Sequence, residues 1–340
     1  MASSLRLALA GDVMLGRLTD HALRDRGVMY PWGNVLPRLK AADLTVVNLE
    51  CVISRTGRPW SRWPKVFCFR AKPHAFQSLR LAGIDAVTLA NNHVLDYETP
   101  ALLEMLDGLR RADIAYAGAG RNLEEASRPA FIDARGLRLG IVSFTDNEPG
   151  WAATATTPGT NWLEVSLDEE TLAVVRQSIA AARQGGADVV LFSNHWGPNM
   201  VERPPALFRQ FAHAVIDAGA DIYFGHSAHL FQGIELYHGR PILYDAGDFV
   251  DDYAVDPRLR NDRGLLFELW LEPHRVQRIG LTPTLIDNCQ VNLAAGAERQ
   301  AIADRIAALS MEFGTVVRSE EHRLWIDCQP SPSPAIASTV

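Results

Sequence analysis

Cysteine is scarce, and the four present do not cluster: Cys51, Cys68, Cys289 and Cys328 form no CxxC pair and no framework spacing. They offer neither a thiolate zinc site nor a disulfide scaffold, and read as ordinary thiols of a reducing compartment. Long apolar runs are also missing, since none approaches the roughly 18 residues of a membrane span. A secretory signal is not expected either. Met1-Ala2-Ser3-Ser4-Leu5-Arg6 passes directly into a strand-like segment that already holds Asp12, with no long uncharged stretch after a basic start. Positive charge is in deficit, with 33 Lys+Arg against 40 Asp+Glu for a formal net charge of −7, which argues against a general nucleic-acid face. No internal repeat is present. Together these absences predict a cytoplasmic protein with no membrane span and no nucleic-acid partner.

What remains is a chain of 340 residues, 47% hydrophobic, able to bury a large α/β core. Apolar runs predict strands at 5–10, 44–47, 85–90, 188–192 and 220–224. Hairpins are predicted at 131–144 about Arg135-Gly136 and at 233–244 about His238-Gly239, with a last strand pair at 264–271 and 276–283. Helical periodicity marks 72–81, 99–112 with Thr99 as cap, 166–184 with Ser166 and Glu169 as a capping box, 205–218, and 298–313 packing on the outside. The expected organisation is a main domain over 1–285, a C-terminal helix and extension packed on it over 286–328, and a Pro-rich disordered tail over 329–340.

Each predicted strand delivers a polar group at its end. Asp12 closes the first, Glu50 the second, Asn92 and His93 the third, His195 the fourth, and His226 and His229 the fifth. Strand ends on one edge of a sheet converge, so six oxygen and nitrogen donors (Asp12, Glu50, Asn92, His195, His226, His229) can share one pocket. A buried glutamate needs a partner or a cation. This donor set has no thiolate and suits one or two Mn²⁺, Fe²⁺ or Zn²⁺ ions. His93 can protonate a leaving group, with Asp96 orienting the ring. Arg55, Arg58, Arg62, Lys65 and Arg70, interleaved with Trp60 and Trp63, can hold an anionic chain. The connection from Thr145 to Trp162 reads as an active-site cover that brings Asn147, Glu148, Trp151 and Trp162 to a substrate, and Asp248 adds a carboxylate nearby.

Six ordered motifs, Gly-Asp-Val-Met-Leu-Gly (11–16), Asn-Leu-Glu (48–50), Asn-Asn-His (91–93), His-Trp-Gly (195–197), Gly-His-Ser-Ala-His (225–229) and Gly-Asp-Phe (247–249), resemble the poly-γ-glutamate capsule-synthesis (CapA) family of the calcineurin-like metallophosphatases. The resemblance implies an α/β four-layer αββα sandwich, two mixed β-sheets face to face with helices outside, and a two-metal site above the strand ends. It implies Glu50 as bridging carboxylate, Asn92, His195 and His226 on one metal, Asp12 and His229 on the other, and His93 as general acid. Two departures stand out. Met14 occupies the place of a usual ligand histidine, and the last two histidines are three residues apart rather than two.

The function expected from residues and resemblance together is a metal-dependent enzyme of poly-γ-glutamate, capsule-polymer or peptide metabolism. A metal would polarise a carbonyl or phosphoryl oxygen and activate water, with His93 shuttling the proton across a phosphoester or amide bond. A non-catalytic polymer-binding component and a metal-assisted peptide epimerase are the alternatives.

Overall fold

The computed structural model describes residues 4–320 and 323–328, so the tail expected at 329–340 lies outside the described residues. In chain order the main elements begin with β1 (Leu5–Val13), α1 (Arg17–Arg26), β2 (Leu44–Leu49), α2 (His74–Ala82), β3 (Ala86–Thr88), α3 (Glu98–Arg111) and β4 (Ala115–Ala117). Then come β5 (Ala130–Ala134), β6 (Leu137–Thr145), α4 (Glu169–Gln184), β7 (Val189–His195), α5 (Ala206–Asp217), β8 (Ile222–His226), β9 (Ile234–Tyr237) and β10 (Arg240–Leu243). The chain closes with β11 (Asp248–Val250), β12 (Arg263–Glu272), β13 (Arg275–Asp287), β14 (Gln290–Leu293), α6 (Gly296–Met311), β15 (Arg318–Glu320) and β16 (Arg323–Asp327).

These strands make two mixed sheets. A ten-stranded one runs β15-β16-β13-β12-β1-β2-β3-β4, with β11 beside β1 and β14 beside β13. A six-stranded one runs β9-β10-β8-β7-β6-β5. Strands buried on both faces carry no polar side to mark orientation, but their period of two still sorts side chains between two cores. Leu5, Leu7 and Leu9 of β1 join Leu191 of β7 and Phe224 of β8 in a core between the sheets, whereas Ala8 and Ala10 face the layer of α2 and α3. Likewise Val190, Phe192 and Tyr223 face away from the inter-sheet core and pack with Val175, Phe211 and Val215 of α4 and α5. Three cores separate four layers, the αββα sandwich expected.

The C-terminal segment belongs to the same body. β13 runs through residue 285, the expected boundary, and both β14 and β16 pair with it. Helix α6 is expected on the outside, yet Ile302, Ile306 and Leu309 pack in the core between the sheets. Its sequence stripe specifies a buried face without specifying which core receives it. Two expected caps also differ. Asp168, not Ser166, accepts from the Thr171 N–H at 2.8 Å, and α3 starts with no side-chain cap at all. The cover expected over 145–162 is not structureless: Pro149–Trp151 forms a helical turn and Gly159–Thr160 pairs with Ala119–Gly120.

Backbone proximity sets the strand ends. A Cβ on Gly225 would lie 2.0 Å from the Tyr244 carbonyl oxygen, and one on Gly11 would lie 1.9 Å from that of Gly247. Each glycine immediately precedes a candidate ligand, so each lets a neighbouring chain close against the site. Replacing Gly225 with alanine is expected to destabilise the fold by about 1–3 kcal/mol or more, because the obstacle is backbone rather than a movable side chain. A urea unfolding curve with an unchanged midpoint would refute this.

Candidate metal centre

Sheet register assembles the site before any side chain is considered. In the larger sheet, parallel pairing sets Asp248 beside Asp12 and Asp12 beside Asn48. In the smaller sheet, parallel pairing sets His195 beside His226. Glu50 is placed as its N–H donates to the Val13 carbonyl at 3.0 Å. The two rows meet at one end of the sandwich.

The ligand atoms fall into two groups, each with all its atoms within 4.8 Å of one another: Asp12 with His195 and His226, and Asp12 with Glu50, His229 and Asp248. The resemblance implies Glu50 as the bridge; Asp12 is common to both groups, and Glu50 Oε1 of the second lies 3.8 Å from His195 Nε2 of the first. Its Oδ1 accepts from Asn48 Nδ2 at 2.6 Å and lies 3.7 Å from His226 Nδ1, while its Oδ2 lies 4.0 Å from His229 Nδ1. His226 Nε2 meets Ser193 Oγ at 2.8 Å. Placing the proton on that nitrogen leaves the Nδ1 lone pair directed at Asp12 and at His195 Nδ1, 2.9 Å away. His229 Nδ1 meets Asp248 Oδ1 at 2.8 Å, and the Tyr253 hydroxyl donates to Glu50 Oε2 at 3.0 Å.

The atoms left over by these contacts are as informative. Asp12 Oδ2, Glu50 Oε1, Asn92 Oδ1, His195 Nε2 and Asp248 Oδ2 are buried without a hydrogen-bond partner. A buried polar atom left unpaired costs roughly 1–3 kcal/mol, more when charged, so the four on Asp12, Glu50, His195 and Asp248, residues of the two groups, fit the donor set of a divalent cation, while Asn92 lines the adjoining cavity with His93 and His229. Electrostatics agree. Burial raises the Asp12 carboxyl well above its usual range, and Glu50 and Asp248 raise it further. Burial also raises Glu50. Burial would lower His229, but Asp248, Glu50 and Asp12 together outweigh it and hold the imidazole well above its usual value. Without an ion, a protonated His229 partly offsets the crowded carboxylates, and an ion bound by His229 would take the place of that proton.

Both departures from the expected motif find an account. Met14 is fully buried and its Sδ accepts from the Gly16 N–H at 3.1 Å, so its side chain closes a turn rather than facing an ion. The additional residue between His226 and His229 is taken up by Ser227 at φ 116° and His229 at φ 60°. Non-glycine residues in such regions cost on the order of 1–3 kcal/mol and persist where the surroundings enforce them, often at functional sites.

His93 lies beside the cluster, with Nε2 3.9 Å from Glu50 Oε1 and Nδ1 2.6 Å from Asp96 Oδ2. The Phe69 ring stacks on it at 4.0 Å, and the Phe69 N–H donates to the same Asp96 oxygen at 2.6 Å. Lys65 Nζ sits 3.6 Å from Asp96 Oδ1 and 3.2 Å from Glu148 Oε1. Burial lowers His93 to about 3, keeping it neutral, and raises Asp96, with Lys65 drawing the latter back. His195 and His226 are also held neutral, by burial first.

A cavity of about 520 Å³ opens beside this cluster, lined among others by Asn92, His93, His229, Lys65 and Glu148. Of the residues expected to contact substrate, Lys65 and Glu148 line it. Arg55 and Arg58 are exposed and do not, and Arg70 lies 3.9 Å over the Tyr97 ring instead. Asn147 donates to the His195 carbonyl at 3.2 Å. Trp151 is buried edge-on to Trp60 at 5.1 Å, and Trp162 donates to the Asp146 carbonyl. Asp248, expected at the substrate, belongs with the ligand atoms. Asn48, Tyr253, Arg17 and Phe69 escape the sequence reading. Asn48 stands inside one of the six motifs and is readable there, whereas nothing local marks Tyr253, which reaches Glu50 across the fold.

With this geometry established, comparison with known proteins places the chain. The probable polyglutamine synthesis accessory protein of Mycobacterium tuberculosis is 31% identical over 351 residues, covering 90% of this chain and 91% of that protein. The capsule biosynthesis protein CapA of Bacillus anthracis is 30% identical over 250 residues, covering 73% of this chain and 60% of that one. Among solved structures, a hypothetical protein from Thermus thermophilus aligns with a TM-score of 0.48 at 16% identity, over 82% of this chain and 98% of that chain. Residues 6–253 match the model of the bacterial capsule synthesis protein PGA_cap, and the chain belongs to that family.

Proposed function

We propose that this protein is a metal-dependent enzyme of capsule-polymer or peptide metabolism, hydrolytic in its reaction, with His93 as the proton-transferring group. One observation carries the reading: unpartnered buried acceptors on Asp12, Glu50, His195 and Asp248, residues of the two ligand groups, lie beside a histidine–carboxylate pair whose histidine lines a cavity. Capsule and polyglutamine synthesis are named for its relatives, which supports the pathway class. The mixed oxygen and imidazole donors favour Mn²⁺, Fe²⁺ or Zn²⁺, held by Asp12, His195 and His226 and by Asp12, Glu50, His229 and Asp248. A divalent ion bound there supplies Lewis acidity toward a carbonyl or phosphoryl oxygen.

The chain's own groups do the rest. With its Nδ1 proton donated to Asp96, His93 presents Nε2 toward Glu50 and the cavity, where it can take a proton and return it to a departing group. Phe69 and Lys65 fix that pair, one by stacking and the other by holding the far carboxylate oxygen. A component that only binds polymer has no need of this buried pair.

Three outcomes test the reading. Asp12→Asn is expected to lose more divalent ion than either His226→Ala or His229→Ala, since Asp12 belongs to both groups and each histidine to one, and elemental analysis of the purified variants decides it. His93→Gln is expected to reduce turnover by about 10²–10⁴-fold with ion content unchanged. Turnover retained in that variant removes His93 from the mechanism. Chelation is expected to lower the melting temperature and Mn²⁺ to restore it, since an ion at about 100 times its Kd adds about 2.7 kcal/mol. A chelator-insensitive melting curve contradicts the metal centre.

A further inference from the structure

The cavity beside the metal centre is poorly suited to a polyanion. Apart from the histidines, His93, which burial keeps neutral, and His229, which already faces Asp248, two basic side chains line it, Arg17 and Lys65, and neither is available. Arg17 Nε donates to Asp252 Oδ2 at 3.1 Å and its Nη2 to the other oxygen of that carboxylate. The guanidinium also lies within 5.0–5.8 Å of the Phe69, Phe67 and Tyr253 ring centroids. Lys65 has only 8% of its side chain exposed, and it is shared between Asp96 and Glu148. Each positive side chain is therefore matched before any ligand arrives, so beyond the one group that reaches the metal centre, a carboxylate entering the cavity would shed water without gaining a side-chain counter-ion.

The mouth is apolar instead. Val66 is 88% exposed and Phe67 58% exposed, adjacent in sequence and both on the cavity wall, with Met200 also lining it. Neighbouring large apolar side chains left in water mark a binding surface more often than chance. A free polar group on the wall is an amide, since the exposed Asn199 side chain makes no hydrogen bond among the described residues. A primary amide both donates and accepts, matching a peptide group. The wall also holds its residues under strain, with Arg17, Glu148, Met200 and His229 at φ 51°, 49°, 59° and 60°.

We infer that the part of the substrate held in this cavity is an uncharged peptide segment bearing an apolar side chain against Val66 and Phe67, rather than a run of free carboxylates. The inference rests on the metal-dependent reading above and narrows its substrate class.

The test titrates the Mn²⁺-loaded full-length protein with two capped tripeptides, one with a central leucine and one with a central glutamate, and with a poly-γ-glutamate oligomer. The leucine peptide is expected to bind about tenfold or more tightly than the glutamate peptide, with little dependence on salt. Phe67→Ala, at an exposed position, is expected to erase that preference while leaving Mn²⁺ content and the melting temperature unchanged. Equal or tighter binding of the glutamate peptide or the oligomer, weakening steeply with added salt, overturns the inference. So does a preference that survives Phe67→Ala. Mn²⁺ content and turnover are read separately. A protein that prefers the leucine peptide yet turns over nothing contradicts the enzymatic reading alone. One that hydrolyses poly-γ-glutamate unaffected by Phe67→Ala contradicts the cavity assignment alone.

Discussion

Three carboxylates, Asp12, Glu50 and Asp248, are packed into one water-poor corner against a single imidazolium, and the remainder of the site is arranged around that imbalance. Left alone, the crowding disfavours folding, with Asp248 raising the carboxyls of both Asp12 and Glu50 beyond what burial does. Their persistence is understandable because the backbone gives no alternative. Adjacent parallel strands carry Asp248 and Asp12 side by side, and an N–H to carbonyl bond ties Glu50 to β1. Ser227 and His229 accept positive-φ backbone to bring one more nitrogen to the same corner. Register and local strain hold repulsive groups together, which is the arrangement a dication would stabilise.

Around this charged floor the walls change character. Lys65 and Glu148 come from different loops and are joined by an ion pair, while Trp63 donates to Glu148 at 3.1 Å and Trp60 packs on Trp151. The loop that sequence presents as basic is thus an interlocked structural wall. Its arginines at 55, 58 and 70 turn outward or stack elsewhere. The site divides accordingly, with the candidate ligands and His93 at strand ends and the cavity's shape and polarity set by loops.

Much of this is legible in the sequence because it is local. Short apolar runs end in Asp12, Glu50, Asn92, His195 and His226, and each run becomes a strand of one of the two sheets. The hairpins about Arg135-Gly136 and His238-Gly239 are readable because both pairs take the left-handed backbone such turns demand. The illegible part depends on register and distance. Sequence alone gives Asp248 to the substrate, because nothing in its own neighbourhood reveals that it aligns with Asp12 from the far end of the domain. Arg17 and Tyr253 carry no periodic signal, and α1 buries only Thr19, Asp20 and Leu23, too few to write a stripe. Helix α6 writes a stripe but cannot say which of three cores it will enter.

The alternation in β1 has one more consequence. Its odd leucines are keyed into one core and its even alanines into another, and the two sets differ in volume. The strand cannot slide by a single residue without forcing leucines into spaces shaped for alanine, and the same slip would turn Asp12 away from both ligand groups. Apolar matter therefore acts as the indexing mechanism for a charged side chain. A one-residue insertion or deletion in β1 would therefore erase packing and ligand geometry in the same stroke.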